Sequence, residues 1–175
     1  MCDYCDCRDL APIRALSDDH ERIGSLMERL RGHLASGEDA GTAAVLSELQ
    51  GALASHLARE EAGILAELAL RTGFTDYLDQ LAAEHASARA GLIALDPVGP
   101  GWTAQLPAML DELVEHINLE EYDLFPASRM IIDDAGWARV AAAYGDVGGA
   151  DGDGSGSRDA LRARAAQAPG RRATG

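Results

Sequence analysis

Four of the five histidines in this chain stand on apolar stripes of helical period. His20 falls in the run Leu16, Ile23, Met27, Leu30 and Leu34, and His56 and Glu60 fall in the run Leu46, Leu49, Leu53 and Ile64. His85 continues Leu78, Leu81, Ala88, Leu92 and Leu95, while His116 and Glu120 continue Leu106, Met109, Leu113 and Leu124. A single histidine on such a face is ordinarily a core residue satisfied by hydrogen bonds. The two glutamates change that reading, because a carboxylate buried without a partner is costly and needs a cation or a hydrogen-bonding network. Glu60 and Glu120 each follow a histidine by four residues, which on a helix leaves about 40° between the two side chains. Each His-x-x-x-Glu pair therefore grips one region of space. Four imidazoles and two carboxylates suit two divalent or trivalent metal ions, since imidazole is a good ligand for iron and a carboxylate bridges two metals while neutralising charge. Zinc is chemically compatible, but structural zinc sites are more usually tetrahedral and rich in cysteine.

The elements that must position these groups are marked by caps and stops. Ser17 with Asp18 and Asp19 predicts an N-cap, and Gly37 a stop, for a first helix over 17–36. A second helix runs from after Gly41 to about Leu70, ahead of Arg71-Thr72-Gly73. A third runs from Thr75 to Asp96-Pro97, and a fourth from Thr103 to Phe125-Pro126 or one turn beyond. A short amphipathic segment, Asp134 to Tyr144, packs across the bundle end through Trp137 and Val140. The predicted fold is all-α: an up-down-up-down four-helix bundle with a short extra C-terminal helix. Counted from each connecting turn, the four stripe histidines fall within about 6 Å of one level. His33 fails that test, lying about 20 Å along the axis from His20 on another face. Glu61 and Glu121 rotate about 100° from the ligand glutamates and are expected behind the ligands or in solvent.

A length of 175 residues bounds the chain to one domain with tails. We read a Cys-containing arm over 1–15, the bundle over 16–144, and a Gly/Asp/Arg-rich tail over 145–175 that is expected to be disordered. A net charge of −14 argues against nucleic-acid binding. The absence of a long apolar run or signal-peptide pattern predicts a cytoplasmic protein without a membrane partner. Cys2, Cys5 and Cys7 are too close together to staple a fold. They read as free thiols, a second metal site or a redox site.

One histidine, His-x-x-x-Glu, one histidine, His-x-x-x-Glu on four successive helices resembles the hemerythrin, or HHE cation-binding, family. His116-Ile-Asn-Leu-Glu120-Glu-Tyr-Asp-Leu-Phe-Pro126 is similar to that family's last ligand helix, and Asp19-His20 with Ile23 and His56-Leu-Ala-Arg-Glu60-Glu61 fit its first two; the resemblance covers about residues 16 to 130. Ferritin-like bundles use Glu-x-x-His instead. The resemblance implies a non-haem di-iron centre with a bridging oxo or hydroxo group, held by His20, His56, Glu60, His85, His116 and Glu120. Oxygen carriers of this family have a second histidine four residues from the first on the third helix and an aspartate as the other bridging carboxylate. Here Leu81 and Glu120 stand instead, which leans away from simple oxygen carriage. The expected partners are O2, peroxide or nitric oxide, in sensing, scavenging or iron and oxygen handling, with an electron donor. The alternatives are a di-iron oxidase or peroxidase-type enzyme and a structural metal-binding bundle.

Overall fold

The computed structural model describes residues 7–37, 39–97 and 99–149, and no strand occurs among them. A 3-10 turn (Cys7–Asp9) leads into α1 (Ala11–Ser36). α2 runs Asp39–Glu60, passes through a π-helical turn Glu61–Leu65 and closes with Ala66–Leu68. α3 comprises Thr75–Ala88 and a π turn Arg89–Ile93. α4 comprises Trp102–Leu119, a π turn Glu120–Leu124 and Phe125–Ile131, and α5 is Asp134–Gly149.

The helix ends depart from the sequence expectation in ways local chemistry explains. α1 begins six residues early because Pro12, in its first turn, has no N–H to leave unsatisfied and a φ already suited to a helix. Ile13 extends the apolar stripe, and Ser17 is a fully buried interior residue instead of a cap. Gly37 does end α1, in the left-handed conformation (φ 70°), with its N–H to the carbonyls of His33 and Leu34. α2 starts at Asp39 and takes Gly41 into its first turn. α4 continues through Pro126 to Ile131. The π turn just before that proline opens the ladder where its ring would otherwise meet the preceding carbonyl. α5 runs on to Gly149, and the tail expected to be disordered lies, from residue 150, outside the described residues, as do Cys2 and Cys5.

The core is split in two. One apolar cluster gathers Ile23, Met27 and Leu30 of α1, Leu46, Leu49 and Leu53 of α2, Leu92, and Leu106 and Leu110 of α4. The other gathers Ile13 and Leu16, Ile64 and Leu68, Leu81, Leu124 and Phe125, with Trp137 and Val140 of α5. α5 is fastened by Arg139, whose Nη2 and Nε donate to the Glu67 carboxylate at 2.6 and 3.0 Å, and its start is capped by Asp133, whose Oδ1 accepts from Gly136 N at 2.8 Å. No helix among the described residues is long and apolar enough to cross a membrane.

Candidate metal centre

Between the two apolar clusters lies a polar layer made of one group from α1, two from α2, one from α3 and two from α4. His20, His56, His85 and His116 are 9 % exposed or less, and Glu60 and Glu120 are fully buried. Glu120 is the hub. Its Oε2 is 2.8 Å from His20 Nε2 and 3.5 Å from His56 Nε2, and its Oε1 is 2.7 Å from His116 Nε2 and 3.6 Å from His85 Nε2. Glu60 Oε2 is 3.3 Å from His85 Nε2. Two sets of side chains bring ligand atoms within 4.8 Å of one another: Glu60, His85, His116 and Glu120 form one, and His20, His56 and Glu120 the other.

All four imidazoles are oriented alike, with Nε2 toward the middle and Nδ1 toward an outer carboxylate. His20 Nδ1 meets Glu121 at 2.8 Å, His85 Nδ1 meets Glu61 at 2.9 Å, and His116 Nδ1 meets Glu84 at 2.8 Å. His56 Nδ1 faces Asp19 at 3.7 Å, an ion-pair distance beyond hydrogen-bond reach. Two arginines complete this rim, Arg89 donating to both Glu61 oxygens at 2.7 and 3.0 Å and Arg59 pairing with Asp19. Partners of this kind fix ring orientation and raise the basicity of the inward nitrogen, as metal-ligating histidines require. His20 is further held by stacking on Phe125, ring centroids 5.6 Å apart.

The electrostatics are those of imidazoles and carboxylates facing one another away from water. Burial opposes protonation of His20, but hydrogen bonds to Glu120 and Glu121 overcome it and hold its pKa up at about 9. His85 is also held well above the ordinary range: burial works against it, and Glu120, Glu60 and Glu61 outweigh that. Glu120 is held well below the ordinary carboxylate range, the surrounding histidines outweighing its burial, while burial and the charge of Glu120 push Glu60 up. Both oxygens of Glu60, Oε1 of Glu120 and Nε2 of His85 and His116 have no aligned hydrogen-bond partner although all are buried. His116 Nε2 and Glu120 Oε1 are close yet aimed past each other. Buried polar atoms left unpaired are expensive, and here they converge from three helices, so the donor set fits metal ions.

Across residues 11–128, the family profile described as hemerythrin HHE cation binding domain matches the chain. The chain belongs to the hemerythrin family. Neither curated proteins nor solved structures gave a match. Hemerythrin HHE domains bind metal cations, and the buried histidine and glutamate groups here are the residues that can hold them.

The structure thus brings together all six residues singled out in the sequence, and His33 belongs to neither set. Glu61 and Glu121 are behind the ligands and buried, not in solvent. Glu84 and the role of Asp19 escaped the sequence reading. Their signal was position: each immediately precedes a ligand histidine, so it points about 100° away toward the neighbouring helix. Cys7 is 4 % exposed and disulfide-bonded, so its sulfur is not offered as a free thiolate.

Proposed function

We propose that this hemerythrin-family chain is a non-haem di-iron protein, one ion in each donor set and Glu120 shared between them, that reacts with O2, peroxide or nitric oxide in sensing, scavenging or iron and oxygen handling. The observation that carries this reading is the presence of Glu120 in both sets, its two oxygens facing different histidine pairs. An up-down-up-down arrangement is supported by the order in which the helices meet the two apolar clusters: α1 and α3 pass from the Leu16–Leu81 cluster to the Leu30–Leu92 cluster, and α2 and α4 pass back.

When bound, iron supplies redox chemistry and affinity for diatomic ligands. The chain's own contribution is to aim four Nε2 atoms inward, to neutralise the ions with two buried carboxylates, and to exclude bulk water with apolar cores on both sides. Leu81, fully buried four residues before His85, offers no donor where an oxygen carrier has its extra histidine. That favours reaction over storage of oxygen.

A second reading, an oxidase or peroxidase-type enzyme, is supported by a cavity of about 930 Å³ between α3 and α4, lined by Ala88, Leu92, Met109 and Leu113 and reaching Glu84 and His116. That volume accommodates a small organic molecule.

Metal analysis of protein from iron-replete cells should return about two iron ions per chain. Oxygen added after anaerobic reduction of the protein should give the ferric spectrum promptly, and Leu81→His should slow that conversion. One zinc and no iron would overturn the di-iron reading, and stable, fully reversible oxygenation over hours would restore oxygen carriage. Turnover of an organic substrate that depends on the α3–α4 cavity would decide for the enzyme.

A further inference from the structure

α5 lies beyond the family match, which ends at residue 128, yet it is seated on a ligand helix of the metal centre. The Glu67–Arg139 pair anchors its first half, and Tyr144 closes its second half over the π turn that follows Glu60. The ring of Tyr144 is pressed onto Gly63, where a methyl group would overlap it and would stand 3.1 Å from Val140. The absence of a side chain at Gly63 is therefore what admits the ring, three residues after Glu60. The hydroxyl oxygen of Tyr144 is sealed from solvent and has no hydrogen-bond partner. A buried donor left in that state costs about 1–3 kcal/mol, so a tyrosine in place of phenylalanine calls for a reason.

Glu60 supplies one. Both of its oxygens are unpartnered, and a metal takes up only part of a carboxylate's capacity to accept. Ligating carboxylates are ordinarily hydrogen-bonded from behind, as ligating histidines are. Each of the four histidines here faces an outer carboxylate, whereas Glu60 lacks an outer donor.

We propose that Tyr144 is the positioning residue for Glu60: α5 holds the phenol beside the π turn that follows Glu60, and its O–H, unpaired as the carboxylate is, is the donor that Glu60 would take up when a metal engages it. After burial itself, the charge of Glu60 is what most strongly disfavours ionisation of this phenol, so Tyr144 stays a donor across the physiological range. The inference rests on the metal-binding reading above.

Cobalt(II) is the probe. Titrated into the full-length, metal-free protein, it reports affinity by competition with a chelator and ligand geometry by its visible bands. Tyr144→Phe keeps the ring on Gly63 and deletes only the hydroxyl, whereas Gly63→Ala displaces the ring. Both should weaken cobalt binding about ten-fold or more, the scale for loss of an outer partner. Both should alter the visible bands and speed release to EDTA by a similar factor. Metal-free Tyr144→Phe should keep the wild-type circular dichroism and melt no lower than the wild type, since it loses only an unpaired buried hydroxyl. If Gly63→Ala does not fold, Tyr144→Phe decides alone. Wild-type affinity, spectrum and release rate in Tyr144→Phe would overturn the proposal, as would a lower melting temperature with unchanged cobalt binding. Wild-type protein that takes up no cobalt would overturn the metal reading and this one with it; wild-type protein that binds, with Tyr144→Phe indistinguishable from it, overturns this one alone.

Discussion

Glu60→Gln and Glu120→Gln are the same chemical change in the same polar layer, and the structure predicts opposite consequences for the metal-free protein. Glu120 carries its charge there, compensated by four histidines, while Glu60 is pushed toward its protonated form by burial and by Glu120. Glutamine at 60 therefore imitates the form that burial favours, and glutamine at 120 removes the counter-charge that holds the histidine pKa values up. His20 alone sets the scale. With a pKa of about 9 in place of 6.5, it stabilises the fold by about 2–3 kcal/mol at pH 7, a contribution complete below 6.5 and lost as pH rises through 9. Glu120 shares that effect with Glu121 but also faces the other three histidines, so its loss should cost about 3–5 kcal/mol, the range for breaking a buried charge pair. Calorimetry of the chelator-treated proteins at pH 7 should show Glu120→Gln melting roughly 10 °C lower and Glu60→Gln unchanged or slightly higher. In a metal titration, Glu60→Gln should lose the ion of the Glu60, His85, His116 and Glu120 set and keep the other. Glu120→Gln should weaken both. Equal melting shifts in the two variants, or full loading of Glu120→Gln, would refute the hub role.

The metal-free wild type should lose stability as pH rises from 6.5 through 9, the window in which the raised His20 gives up its proton, and the loaded protein should not; melting curves across that range test it. Glu84→Gln, which disturbs the hydrogen bond to Nδ1 of His116, should weaken metal binding about 10–100-fold with circular dichroism unchanged, measured by chelator competition, and Asp19→Asn, whose carboxylate only faces Nδ1 of His56, should weaken it less. Arg139→Ala should cost only about 1 kcal/mol, because the arginine is largely exposed, but should speed amide exchange across 134–149 as α5 loosens.

The six inward residues were legible because their periodicity is that of the apolar residues around them, so burial and polarity conflict openly in the sequence. The outer carboxylates were not, because Glu84 and Asp19 sit off the stripe, where an acidic residue looks like any solvated one until the neighbouring helix is in place. The three π turns were equally hidden. Glu60-Glu61 and Glu120-Glu121 look like one ligand with a spare, and only the wider turn beginning there shows that both face inward partners, Glu61 toward His85 and Glu121 toward His20. Pro126 left the end of α4 open by a turn, since a proline signals a stop unless the ladder before it is already open, and the helix takes that further turn to Ile131. α5 was anticipated through Trp137 and Val140, but Tyr144 took its meaning only from contact with Gly63.

His56, Glu60 and Glu61 recur sixty residues later as His116, Glu120 and Glu121, and Asp19-His20 is answered by Glu84-His85. Glu61 and Glu121 each reach across to the other half of the chain, and neither half completes a donor set alone. Glu120 breaks the repeat by entering both sets, where Glu60 enters one. With iron in both, one ion has two carboxylates beside it and the other has one. The ion with more negative charge around it holds the ferric state more firmly, so the first electron should settle beside His20 and His56. The half-reduced protein should then carry its valences localised, with a single asymmetric paramagnetic resonance signal, instead of sharing the electron between equals.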